Sequence, residues 1–142
     1  MSITTPKKII STNYKDNIPR INIRFIINKE GKEKFGFPYI AILDSGSNIL
    51  SIPKDIADTL GIKTKEKITN VETSDGVREE KIQVADNINF EIWGDKYEIT
   101  RFENEKARIG ETYTSILIGT PVFQYYIVTF NVSKKLTILE PK

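Results

Sequence analysis

The sequence predicts an all-β domain, mostly antiparallel, with one or two short helices. Three observations predict it. Isoleucine supplies 24 of 142 residues, and Ile, Val, Thr, Tyr and Phe recur in short runs that alternate with polar residues. That alternation is the pattern of half-buried strands. The runs are broken by Gly, Asn, Asp and Lys, which are turn residues, and only two stretches carry helical spacing.

Taken in order, Arg20–Asn28 alternates cleanly, and Lys29-Glu30-Gly31-Lys32 makes a turn. Phe37–Leu43 is a nearly continuous apolar run, as for a strand buried on both faces. A helix is predicted over Pro53–Leu60, with Pro53 at an early helical position, Ile56, Ala57 and Leu60 at helical spacing, and Gly61 as its stop. Strands are then expected at Lys67–Thr73, Val77–Val84, Ile88–Trp93 and Lys96–Phe102. The polar stretch 103–114 reads as the longest loop. Strands at Ser115–Ile118, Tyr126–Asn131 and Leu136–Leu139 follow, with one helical turn around Thr120–Tyr125.

With 142 residues, 39% of them apolar, the chain is sized for one domain spanning 1–142, its core at about 20–140. Histidine and cysteine are both absent. That removes Ser-His-Asp triads, Cys-His nucleophiles, the common zinc sites, iron–sulfur ligation and thiol chemistry. Any acid or base must be a carboxylate, Lys or Tyr, and no metal or cofactor is expected. The 21 basic and 19 acidic residues are interspersed, so neither a nucleic-acid partner nor a membrane surface is expected. The first ten residues lack a signal-like apolar run, and a cytoplasmic chain is the expectation.

One segment carries chemistry. Ala41-Ile42-Leu43-Asp44-Ser45-Gly46-Ser47 ends an apolar strand on a carboxylate, followed by two hydroxyls flanking a glycine. Asp-Ser-Gly is also plain turn chemistry. By composition an Asp-[Ser/Thr]-Gly triplet arises by chance roughly 0.06 times in such a chain. An Asp at the end of so apolar a run needs a use for its burial. A second feature is Leu117-Ile118-Gly119, which alone reads as a core strand ending in a glycine turn. A third is Thr73-Ser74-Asp75-Gly76-Val77, which alone reads as an ordinary hairpin tip.

Together, and in this order, these segments resemble the retropepsin-like aspartic proteases, single-domain relatives of pepsin. The resemblance covers about residues 20–140, and its specific part is Asp44-Ser45-Gly46-Ser47 followed, about 75 residues later, by Leu117-Ile118-Gly119. The chain departs from the retroviral form at Asn48, where a second acidic residue is common, and in the longer segment before Leu117. The resemblance implies a closed, mostly antiparallel barrel and an aspartic endopeptidase. Asp44 would be catalytic, Ser45, Gly46 and Ser47 would support its loop, and Leu117, Ile118 and Gly119 would pack beneath it. Thr73, Ser74, Asp75, Gly76 and Val77 would form a substrate-binding flap.

The chemistry fits the missing histidine. Two carboxylates about 3 Å apart share one proton; the ionised one activates a water and the protonated one donates to the scissile carbonyl. Only one Asp-[Ser/Thr]-Gly is present, so a dyad requires two chains, Asp44 and Asp44 of a second copy, in a twofold homodimer. The substrate would be an extended peptide or protein segment lying as an added strand. Ile42, Ile49, Ile82 and Val84 are candidate pocket walls, and Leu136–Leu139 is a candidate for a sheet shared between subunits. Three other readings stay open: an inactive module of the same fold that dimerises or binds peptides, an unrelated small β-barrel in which Asp44 caps a turn, and a glycosidase using paired carboxylates.

Overall fold

The computed structural model describes residues 2–142; Met1 lies outside the described residues. Thirteen strands and two short helices are present among them. In chain order these are β1 (Ser2–Ile3), β2 (Ile9–Ser11), β3 (Tyr14–Lys15), β4 (Ile18–Lys29), β5 (Lys32–Phe35), β6 (Tyr39–Leu43), β7 (Leu50–Pro53) and α1 (Lys54–Leu60). They continue with β8 (Lys65–Thr73), β9 (Gly76–Trp93), β10 (Thr100–Gly110), β11 (Ile116–Ile118), α2 (Thr120–Tyr125), β12 (Tyr126–Asn131) and β13 (Leu136–Pro141).

The main sheet runs in the order β1-β10-β7-β11-β6-β4-β9-β8, with β3 and β5 as hairpin partners of β4. β9 also pairs with β10, so the ladders from β10 through β7, β11, β6, β4 and β9 return to β10. All pairings are antiparallel except β10 with β7 and β11 with β6. A smaller sheet, β12-β13-β2, joins the last strands of the chain to an early one. Tyr126 fastens it to the main sheet: its ring is buried, its hydroxyl donates to the Lys7 carbonyl at 2.9 Å, and Thr100 Oγ1 lies 2.7 Å away.

The core is built on an aromatic column. Phe25, Phe90 and Phe102 face one another across β4, β9 and β10 as direct register partners, and all three are fully buried. Phe90 and Phe102 stack with ring centres 4.9 Å apart, and Phe25 meets Phe90 at 6.3 Å. Tyr125 packs edge-on against Phe102 and so anchors α2.

Several expected boundaries are corrected. Pro53 ends β7 and caps α1 with an extended ψ of 141° instead of starting the helix; Gly61 stops it in the left-handed region at φ 71°. The strands expected at Val77–Val84 and Ile88–Trp93 are one strand, β9. It changes partner near Asn87 (φ 56°), pairing with β8 up to Val84 and with β4 from Asn89. The strand expected from Lys96 begins at Thr100, because Gly94–Ile99 turns back against β2: Asp95 N–H donates to the Ile10 carbonyl, and its carboxylate accepts from Thr12.

The expected long loop at 103–114 is mostly strand. Asn104 adopts φ 58° and its N–H donates to Asn89 Oδ1, forming a bulge opposite β9. The extra residue shifts the side-chain phase. Phe102 points inward, then Glu105, Ala107 and Ile109, while Lys106 is exposed. The period-2 signal is therefore interrupted midway and reads as irregular.

Replacing Phe90 by Ala removes the partner of both Phe25 and Phe102. Urea unfolding should show a loss of about 3–5 kcal/mol; a loss under about 1 kcal/mol would mean that the column does not organise the core.

Candidate active site

β6 delivers Asp44. It lies between β4 and β11, with Ala41 and Leu43 buried, and pairs in parallel with β11 as Ala41 with Ile116, Ile42 with Leu117 and Leu43 with Ile118. The next residue continues that ladder, since Asp44 N–H donates to the Ile118 carbonyl at 2.9 Å. The chain then turns. Gly46 N–H donates to Asp44 Oδ1 at 2.9 Å and Ser47 N–H donates to the Asp44 carbonyl at 3.1 Å. The first of these bonds holds the carboxylate in one orientation at the mouth of the loop, where Asp44 is half-buried. Ser47 Oγ donates to the Ile49 carbonyl at 2.6 Å, so its hydroxyl braces the loop's exit and not the carboxylate. Ser45 and Gly46 are exposed.

The loop is gripped from beneath by Gly119. A Cβ there would lie 1.9 Å from the Ser47 carbonyl oxygen and 2.7 Å from that of Asp44, so only glycine fits. The next residue completes the grip: Thr120 donates to the Ser47 carbonyl from both N–H, at 3.0 Å, and Oγ1, at 3.3 Å. Ile118 is buried, and Leu117, half-buried, faces Ser51 of β7 in register. Leu117, Ile118 and Gly119 are thus brought together with Asp44–Ser47.

The hairpin of β8 and β9 is paired from Lys65 with Val84 to Thr73 with Gly76, which leaves Ser74 and Asp75 as a two-residue turn. Gly76 takes φ 119°, a conformation open to glycine, and Thr73 Oγ1 donates to its carbonyl. Thr73 through Val77 are exposed, and among the described residues no hydrogen bond joins this tip to the Asp44 loop. The base of the hairpin does approach the site. Ile49, Ile82 and Val84 line one cavity of about 480 Å³, together with Lys65, Lys67 and Lys106. Ile42 belongs elsewhere, in a cavity with Tyr113 and Leu117.

A second cavity of about 310 Å³ adjoins the first through Ile49 and Lys106, and Asn48, Thr120 and Pro121 also line it. It contains Glu105, 5% exposed, whose Oε1 has no hydrogen-bond partner. Burial holds its carboxyl above the usual glutamate value. Among the described residues no cluster of three or more acidic groups could hold a metal, and no helix is long and apolar enough to cross a membrane.

No family model and no curated protein matches the chain. Among solved structures, the chain is similar to a retropepsin-like aspartic protease from Rickettsia conorii, with a TM-score of 0.61 over 97% of this chain and 91% of that one, at 20% identity. The fold is retropepsin-like.

In this retropepsin-like frame, two contributors to the site escape the sequence pattern. Thr120 directly follows Leu117-Ile118-Gly119, and a hydroxyl placed after that glycine was the available signal. Glu105 had none. It stands among Arg101, Glu103, Lys106 and Arg108, and only the bulge at Asn104 turns it inward.

Two outcomes follow for this site. Gly119→Ala should destabilise the chain by at least about 3 kcal/mol in chemical denaturation, since backbone and not a movable side chain occupies the space; a near-neutral change would mean that the crossing can relax. Glu105 gives a pH dependence. Its folded pKa is raised, so its favourable contribution is complete below the unfolded value of about 4.3 and is lost as pH rises through the folded one. Glu105→Gln should therefore gain stability over wild type between acid and neutral pH, read as urea midpoints. Parallel curves for the two proteins would place the carboxylate in water.

Proposed function

We propose that this protein is an aspartic endopeptidase active as a homodimer, in which Asp44 of each chain contributes half of a proton-sharing pair. The observation that carries the reading is the Asp44 loop itself. A carboxylate stands at the end of a buried strand, is oriented by the Gly46 N–H and is held by a glycine-only crossing. Such rigidity is what two carboxylates sharing one water need.

In this reading the ionised Asp44 takes a proton from water as it attacks the scissile carbonyl, and the protonated Asp44 of the other copy donates to the carbonyl oxygen. The proton then passes to the leaving amine. No covalent intermediate on the protein forms. Ser45, exposed beside Asp44, faces the second loop, and Gly46 leaves its backbone accessible to the substrate. The hairpin tip at Thr73–Val77 is the flap. Its exposed Val77, with exposed Ile68 farther down β8, finds apolar contact when the hairpin closes over a peptide, and closure excludes water. Ile49, Ile82 and Val84 receive a substrate side chain in their shared cavity.

The reading also says where a second copy attaches. Leu136–Leu139, expected to belong to a sheet shared between subunits, lies in β13, the middle strand of its sheet, with β12 on one side and β2 on the other, so a second copy would join that sheet through a neighbour of β13. The open edges are β12 and β2. β12 carries exposed Ile127 and Phe130, with exposed Val132 just beyond, and an uncovered apolar edge strand invites pairing with another chain.

Wild type should run in solution at twice the 16.3 kDa chain mass and cleave peptides from a mixed library between acid and neutral pH. Asp44→Asn, which keeps the loop's shape, should lower cleavage at least about a thousandfold. A monomer, or cleavage that survives Asp44→Asn, would sink the proposal.

A further inference from the structure

Glu105 is a buried acid for which no hydrogen bond is present among the described residues. Its carboxyl reaches the interior only because the bulge at Asn104 turns the strand by one residue, and its Oε1 meets no donor. An unpaired buried carboxylate is costly, and natural chains keep one where a partner arrives from outside. The cavity that it lines lies against Asn48 and Ile49, the residues directly following the Asp44 loop, and against Thr120, which grips that loop. Ile49 and Lys106 line both this cavity and the one at the hairpin base. Side chains two residues apart on an extended peptide point to the same face about 7 Å apart, so a peptide lying along the site presents successive side chains to neighbouring cavities. Lys106 is the other charged residue lining the Glu105 cavity among the described residues. It is exposed and, among the described residues, forms no ion pair with Glu105.

We infer that the cavity beside the Asp44 loop is a subsite for a basic side chain, Lys or Arg, of an extended peptide, with Glu105 as the residue that selects it. The inference rests on the peptide-cleaving reading above and adds its specificity. A cation entering the cavity supplies the donor that Oε1 lacks and forms a charge-assisted hydrogen bond in a water-poor setting. A neutral chain of the same length leaves the carboxylate unpaired and gains only apolar contact. An acidic one is repelled.

The test uses matched decapeptides, taken from a library-selected sequence or a random extended one, carrying lysine, acetyllysine, norleucine or glutamate at each position in turn. Cleavage is measured with wild type, and binding by fluorescence anisotropy with Asp44→Asn. At one position lysine should exceed norleucine and acetyllysine by about tenfold or more, with glutamate weakest. The ratio should fall toward one when Glu105→Gln is added. Acetyllysine removes the charge from the ligand alone, so the comparison stands even where the Gln variant fails to fold. Cleavage with no lysine preference at any position overturns the subsite and leaves the protease reading intact. Lysine-selective binding by Asp44→Asn with no cleavage by wild type supports the subsite and overturns the protease reading. Neither binding nor cleavage overturns both.

Discussion

Everything proposed for this chain depends on two backbone segments passing closer than any side chain permits. Gly119 lies so near the Asp44–Ser47 turn that a methyl group would sit 1.9 Å from a carbonyl oxygen. Hydrogen bonds on either side of it, from Asp44 N–H to Ile118 and from Thr120 N–H to Ser47, close the crossing. The strands follow from this. β6 and β11 must run parallel for Ile118 to meet Asp44, which accounts for one of the two parallel ladders in an otherwise antiparallel fold. The energetic cost of a carboxylate at a strand end is offset by a loop too tightly held to turn it elsewhere.

The second governing feature is the bulge at Asn104. A strand with strict alternation from Phe102 would place Asn104 inside and Glu105 in water. One residue at positive φ reverses that arrangement and so also turns Ala107 and Ile109 into the core. The same backbone irregularity that completes the packing of β10 on β9 thus introduces an acid beside the Asp44 loop. Stability and selectivity are coupled there: removing the charge relieves the fold near neutral pH and removes the group that distinguishes a basic side chain.

Much of this was legible in the sequence, for physical reasons. Strands such as Arg20–Asn28 and Tyr126–Asn131 bury one face, so their alternation is visible, and α1 announces itself by Pro53 and Gly61 flanking helically spaced apolar residues. The Asp44 loop and Leu117-Ile118-Gly119 were visible as motifs because the crossing tolerates few residue types. What stayed hidden was non-local. The union of two expected strands into β9 depends on a change of partner at Asn87, and the strand at Thr100–Gly110 was masked by the phase shift at Asn104 and its charged outer face. The middle position of β13 depends on β2, more than 120 residues earlier in the chain, which no local pattern encodes.

The central claim is that one active site needs an Asp44 from each of two chains. Subunit mixing tests it most directly. Wild type and Asp44→Asn are combined in varying ratios at constant total protein, allowed to exchange subunits, and assayed for peptide cleavage. Random pairing predicts activity falling as the square of the wild-type fraction, because a mixed dimer holds a single ionisable Asp44 and no proton-sharing pair. A linear fall would contradict the account, since each chain would then carry a complete site of its own.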